Sequence, residues 1–257
     1  MKISIVCKQD AFSNQIKSKL KTSILKKGHS YDEDHPDLVF TVGGDGTFLY
    51  AVNKYLALID TVNFVPIHTG TLGFIAEFTA EDIEECLSAF DSQKYSKLYK
   101  FPLLECELDD GQKFYAVNDI RVESMVLAQT IEVYINDLYF EKFRGNGILV
   151  CTQLGSTAYN RSLNGAVIDA GLRCIEMTEI AGLSHQNTRS CRSSIIFNSN
   201  TKIVLKNDNY NNVSLIYDFK EFKLTNQKSL VIKESSKYVK MISVKNIPYL
   251  TRIKYLF

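Results

Sequence analysis

Apolar residues in the first third of the chain switch between two spacings. Ile3 to Cys7 is a short continuous run and reads as a strand, whereas Ile16, Leu20 and Ile24 recur every fourth residue and share one helix face. Leu38 to Val42 is a second apolar strand that stops at Gly43-Gly44-Asp45-Gly46. Thr47 then opens a helix with Phe48, Val52, Tyr55 and Leu56 on one side. Val62 to Ile67 gives a third strand, and Pro66 predicts that it ends near an edge or a turn. Thr79 is placed to cap a helix in which Ile83, Cys86, Leu87 and Phe90 follow the i, i+3, i+4, i+7 spacing. Strand and helix in alternation predict a parallel α/β layer.

The pattern changes near residue 100. Leu103–Leu108, Phe114–Val117, Ile131–Ile135, Leu138–Phe143 and Ile148–Thr152 read as strands, with turns at Asp109-Asp110-Gly111 and Asn136-Asp137. Further strands are expected at Ser194–Phe197, Lys202–Leu205, Val213–Phe219 and Leu230–Lys233, interrupted by the start of a helix over Ser156–Leu163. The expected class is α+β: an N-terminal α/β layer with parallel strands, then a C-terminal, mostly antiparallel β domain. The domains predicted are 1–99 and 100–238, with 239–257 apolar and aromatic enough to pack back on the first.

Composition narrows the function without naming it. The 257 residues are 45% hydrophobic and 23% charged with a net charge of +1, which gives no footprint for nucleic acid or an anionic membrane. The Ile3–Cys7 run is too short for a secretory signal or a membrane span. Six cysteines without paired spacing point to a reduced, cytoplasmic compartment. Four histidines lack metal-like spacing, so no metal ligand is assigned.

Candidate chemistry gathers where strand patterns stop. The glycines of Gly43–Thr47 let a backbone approach phosphate closely, and the helix that follows offers its positive end. Asp45 is out of place beside phosphate, which suggests work at a neighbouring hydroxyl; a tight turn capped by Asp45 is the plainer reading. His68-Thr69-Gly70-Thr71-Leu72-Gly73-Phe74 is a polar loop in which Phe74 serves either the core or a flat ring. Arg144-Gly145-Asn146-Gly147 leads through a short strand to Gly155–Ser162, where hydroxyls cap a helix or hold a ligand. Asn118-Asp119 is a polar pair or a turn. P-loop, protein-kinase and Rossmann signatures are absent.

In order and spacing these segments resemble the NAD kinase family over most of the chain. That family carries Gly-Gly-Asp-Gly-Thr, an Asn/His-Thr-Gly-x-Leu-Gly-Phe loop, Asn-Glu, Gly-Asp-Gly and Ser/Thr-Thr-Ala-Tyr-x-x-Ser. They stand here at 43–47, 68–74, 118–119, 145–147 and 156–162. The resemblance implies phosphorylation of the adenosine ribose 2′-hydroxyl of NAD, and a homo-oligomer (dimer or tetramer) whose site forms between subunits and domains. It makes Asp45 the catalytic base and puts Gly46 and Phe74 at the ligand. Asn118 and Asp119 would grip the ribose, while Ser156, Thr157, Ala158, Tyr159, Asn160, Arg161, Ser162 and Ala181 hold the rest of the dinucleotide. The donor, ATP with Mg²⁺ or inorganic polyphosphate, would sit on Gly43–Thr47, its charge offset by glycine N–H groups, Mg²⁺ and Arg144. Two positions depart from the pattern: Asp119 is one methylene shorter than the family's Glu, and Asn146 replaces an aspartate. Loss of that charge is expected to weaken the hold on NAD, so that Asn146→Asp lowers the Michaelis constant. A lipid kinase with the same glycine loop and a non-catalytic dinucleotide sensor are the alternatives.

Overall fold

Ile16, Leu20 and Ile24 lie on α1 (Ala11–Lys26) and are at most 3% exposed, as their spacing requires. The computed structural model describes residues 1–70, 74–91, 97–184, 190–245 and 247–254. The chain divides into two units, Met1–Phe101 with Lys237–Phe257, and Pro102–Ser236.

The first unit is a parallel sheet with helices. Its strands are β1 (Lys2–Cys7), β2 (Ser30–Tyr31), β3 (Leu38–Val42), β4 (Asn63–His68) and β5 (Phe78–Thr79), with α2 (Asp45–Lys54) and α3 (Ile83–Asp91) between them. The order β2-β1-β3-β4 is parallel throughout, and Lys240 and Met241 from late in the chain pair in parallel with Asn63 and Phe64. Asp10 caps α1 by accepting the Ser13 N–H at 2.8 Å. The α1 face packs on Ile3, Ile5, Phe40, Val42, Val65 and Ile67, together with Ile83, Cys86 and Leu87 of α3. One expectation shifts. α2 begins at Asp45, two residues before Thr47, because Gly44 in extended backbone serves as its N-cap. Pro66 stands two residues before the end of β4 at His68, close to the turn its place in the sequence predicts. Opposite β3, the register gives Asn63 and Phe64 to Lys240 and Met241, and Ile67 and His68 to β5. Pro66, which has no N–H to give, falls between these two partners.

The second unit is an antiparallel sandwich. β6 (Lys97–Leu108) leads into it, followed by β7 (Lys113–Ala116), β8 (Asp119–Glu123), β9 (Gln129–Ile135), β10 (Leu138–Gly145) and β11 (Gly147–Cys151). After the short α4 (Tyr159–Ser162) come β12 (Cys174–Ile180), β13 (Ile195–Asn198), β14 (Lys202–Lys206), β15 (Val213–Tyr217), β16 (Lys220–Leu224) and β17 (Ser229–Ser243). The last strand ends in the first unit, where α5 (Tyr249–Lys254) also lies. One sheet runs β13-β12-β11-β8-β15-β16 and the other contains β10-β9-β14 and the start of β17. Their inner faces meet in one core that includes Ile120, Val122, Ile148, Val150 and Leu215 against Ile131, Val133, Phe143, Leu205 and Ile232. Asn136 and Asp137 take positive φ values of 49° and 67°, as a two-residue type I′ hairpin between β9 and β10 requires. Among the described residues no helix is long and apolar enough to cross a membrane.

β11 decides where the candidate residues of this unit stand. All five of its residues are buried. Ile148 and Val150 enter the sandwich core, while Leu149 and Cys151 pack on the opposite side with Ile180, Tyr159 and Leu163. The same alternation turns Asp119, Arg121 and Glu123 of β8, and Glu176 and Thr178 of β12, away from the core. The sheet thus has a polar outer face, and α4 lies over it.

Candidate active site

In the first unit the turn after β3 leaves its glycines open. Gly44 and Gly46 are exposed, and a Cβ built on either meets nothing within 4 Å. A phosphate can therefore approach the N-terminus of α2, where the first N–H groups lack partners inside the helix and the dipole is positive. Asp45 does not cap this helix. Its carboxylate turns to the loop after β4, where Oδ2 accepts the Phe74 N–H at 3.0 Å and Oδ1 accepts the Ile75 N–H at 3.2 Å. Both oxygens are thus fixed, and each keeps a lone pair. The plainer reading of Asp45 as a cap does not hold. Phe74 itself is 9% exposed with its ring edge-on to Tyr249 at 5.2 Å, so its offering to this site is the peptide N–H. Thr71, Leu72 and Gly73 lie outside the described residues.

In the second unit the candidate segments are tied together at the two ends of β11. At one end Thr152 donates its N–H to Asn118 O at 2.9 Å and its hydroxyl to Val117 O at 2.6 Å. Gly155 passes so close that a Cβ would stand 1.9 Å from Asn118 O. Asp218, in the turn after β15 with φ 53°, accepts the N–H groups of Val117 at 2.9 Å and Asn118 at 2.7 Å. Sequence reasoning missed Asp218 by running it into the 213–219 strand.

At the other end Asn146 N–H bonds Ile180 O at 2.9 Å and Leu183 N–H bonds Arg144 O at 2.7 Å, so 144–147 and 180–183 meet. Ala181 there has φ 48° and is exposed. A cleft of about 230 Å³, lined by Leu163, Asn164, Thr178, Glu179, Gly182 and Arg192 among others, adjoins this end. Residues 185–189 lie outside the described residues.

Between the two ends, several side chains of 156–162 are committed to the fold. Ser156 Oγ donates to Gln153 O at 2.6 Å and accepts from Ile168 N at 3.0 Å. Asn160 is fully buried, with Nδ2 on Glu176 at 2.8 Å and Oδ1 accepting the Thr178 hydroxyl at 2.7 Å. Thr157 donates to Leu154 O at 3.0 Å. Tyr159 is half-buried with the Arg121 guanidinium 4.4 Å over its ring, while Ala158 and Arg161 are half-buried and Ser162 is exposed. Arg144 is exposed as well.

Asn146 reverses an expectation. Its Nδ2 donates to Ser124 O at 3.0 Å, and Ser124 N–H returns a bond to Asn146 O at 2.8 Å. An aspartate accepts only, and would set a carboxylate against that carbonyl. Asn146→Asp is therefore expected to raise the NAD Michaelis constant, with about 1–3 kcal/mol of local cost and little change in turnover. Steady-state kinetics checks this: an unchanged constant would count against the role of the Ser124 contact, and a lower one would restore the sequence-based expectation.

Asp119 is 5% exposed, and its Oδ1 is buried without a hydrogen-bond partner among the described residues. Burial pushes its carboxyl up to about 7, with Asp218 adding to the rise and Arg121 opposing it. Burial likewise raises Asp218 to about 6, against the peptide N–H bonds that favour its charge. Both groups hold protons more tightly folded than unfolded. Their contribution to stability is complete below the unfolded carboxyl range of about 4 and is lost as pH rises through the folded values. Asp119→Asn should flatten the fall in melting temperature between about pH 4 and about pH 7. An identical slope in wild type and variant would count against this assignment.

Open glycines at a helix N-terminus beside a carboxylate anchored by two N–H groups suit phosphoryl transfer to a hydroxyl, and place the chain among small-molecule kinases. Comparison with known sequences says which kind. Residues 5–95 match the family model of the ATP-NAD kinase N-terminal domain and residues 118–244 that of the C-terminal domain. The chain belongs to the NAD kinase family and is an enzyme that phosphorylates NAD to NADP. It is 33% identical over 256 residues to an NAD kinase of Geobacillus stearothermophilus, covering 98% of this chain and 94% of that one. An NAD kinase of Lysinibacillus sphaericus is 32% identical over 257 residues, covering 98% and 97%. In fold it is similar to a yeast NADH kinase complexed with NADH, with a TM-score of 0.88 at 18% identity over 99% of this chain and 86% of that one. An NAD kinase from Archaeoglobus fulgidus in complex with ATP gives 0.77 at 22% identity, over 100% and 97%.

Proposed function

We propose that ATP is the phosphoryl donor and that Asp45 is the base for its transfer to the adenosine ribose 2′-hydroxyl of NAD. The observation that carries this is the Asp45 carboxylate, fixed by the N–H groups of Phe74 and Ile75 beside the open faces of Gly44 and Gly46. The 2′-oxygen forms a bond to the terminal phosphorus of ATP, the bond from that phosphorus to the bridging oxygen breaks, and ADP leaves. The hydroxyl proton passes to a free lone pair of Asp45. Peptide N–H groups at the start of α2 stabilise charge on the transferring phosphoryl group. Mg²⁺ fits as a companion of the nucleotide, since the open turn leaves room for it and Asp45 keeps a lone pair on each oxygen; when bound it neutralises phosphate charge.

The reading gives the dinucleotide to Asn118, Asp119, Arg144, Asn146, Ala181 and the 156–162 segment. The two ends of β11 lie about 13 Å apart at a strand rise of ~3.3 Å per residue, a length that an extended dinucleotide covers. Ser156 and Asn160 serve it by holding the segment in shape, and Ser162 and Ala158 by contact. The protein acts in the cytoplasm as a homo-oligomer. A coupled assay of NADP formation tests the core of this reading, with ATP or polyphosphate offered separately. NADP from ATP is expected. Tight NAD binding with no turnover on either donor would make the chain a dinucleotide sensor, and turnover on polyphosphate alone would replace the donor.

A further inference from the structure

We infer that Arg252 is a positioning residue for Asp45, acting through the peptide group that joins Phe74 to Ile75. The inference rests on the reading of Asp45 as the base. Arg252 Nη1 donates to Phe74 O at 3.1 Å and to Ile75 O at 2.7 Å. The N–H groups of the same two residues are those that hold Asp45. The peptide between them is therefore bonded at both ends, its carbonyl to a guanidinium and its N–H to the carboxylate. A peptide is planar and stiff, so fixing its oxygen fixes the direction of its N–H. A cationic donor on the carbonyl also polarises the group and strengthens the N–H as a donor.

Arg252 is itself held in place. Its side chain is 10% exposed and pairs with Glu77, which is 2% exposed. Glu77 takes the Ser243 hydroxyl at 2.7 and 2.8 Å on its two oxygens and the Val244 N–H at 3.2 Å. The end of β17 thus orients a buried carboxylate, the carboxylate orients a guanidinium, and the guanidinium orients the loop whose N–H groups hold the Asp45 side chain. A fork that spans two carbonyls and a carboxylate is a geometry that lysine does not reproduce.

A staple for the C-terminal segment would make the same contacts, so the test must separate stability from turnover. Arg252→Lys keeps the charge against Glu77, and the pair Glu77→Gln with Arg252→Met removes both buried charges together. Both variants are expected to bind NAD and ATP with near wild-type Michaelis constants and to lose about tenfold in kcat, since small displacements of a reacting group are costly. In an Asp45→Asn background the same changes should cost less than about twofold, because a residue acting through Asp45 has nothing left to position. Normal kcat in the folded variants, or an equal loss with and without Asp45, overturns the inference. If Asp45→Asn alone keeps wild-type turnover, the base reading fails and this inference falls with it. Impaired Asp45→Asn beside normal Arg252 variants removes Arg252 only.

Discussion

Asp45→Asn should cut turnover by about 10²-fold or more while the affinity for NAD stays near normal. The amide keeps the size of the carboxylate and one acceptor, so either the Phe74 or the Ile75 N–H still finds an oxygen. The other N–H then faces an amide nitrogen, and the lone pair that would take the ribose proton is no longer basic. The loss should therefore be seen in kcat, with a small drop in melting temperature from the unpaired donor. NADP formation and NAD binding measured on the same preparation decide the matter. Near-normal turnover with unchanged affinity would take Asp45 out of the chemistry.

Two glycine-to-alanine changes should behave in opposite ways. Gly155→Ala drives a methyl to 1.9 Å from Asn118 O, and neither backbone can yield without losing the Thr152-to-Asn118 bond. Overpacking of this kind costs about 1–3 kcal/mol or more. A lower melting temperature together with a higher NAD Michaelis constant is expected, since Asn118 moves with the clash. Gly44→Ala meets nothing within 4 Å, and its φ of −96° and ψ of −173° suit alanine. That variant should melt like wild type and lose only its hold on ATP, because the added methyl occupies the space a phosphate needs. Melting curves and ATP titrations on both proteins separate the cases. A wild-type ATP Michaelis constant in Gly44→Ala would mean that phosphate does not approach there.

The fold class was legible wherever burial followed one period. Ile16, Leu20 and Ile24 on one helix, and the Leu38–Val42 run, are apolar because nothing else is asked of those faces. Strand β12 was not legible as a strand, because its Cys-Ile-Glu-Met-Thr-Glu-Ile sequence places polar side chains on a buried face. Glu176 is fully buried there, yet it accepts bonds from Asn160 and from the Ala166 N–H at 2.7 Å, which tertiary contact alone explains. β8 was hidden for the same reason, since Asp119, Arg121 and Glu123 look like turn and surface residues. Asp218 was concealed by the apolar residues before it and by a left-handed backbone that sequence marks most clearly with glycine. Arg252 carried no signal, because it speaks to backbone carbonyls and to a glutamate 175 positions away. The glycine loop was legible mainly through its order and spacing with the later segments, since by itself a capped turn was the plainer reading of its carboxylate.

The return of Lys237–Phe257 to the first unit sets an order of assembly during synthesis. Pro102–Ser236 is continuous in sequence and can condense as soon as it has left the ribosome. The first unit cannot finish at that stage. It lacks the strand that pairs with Asn63 and Phe64, the Ser243 hydroxyl that orients Glu77, and Arg252. Closing that long loop carries an entropic cost that only the final contacts repay. Asp45 therefore receives its full setting last, after the sandwich has formed, and nascent chains caught before that point should be folded in the middle and catalytically silent.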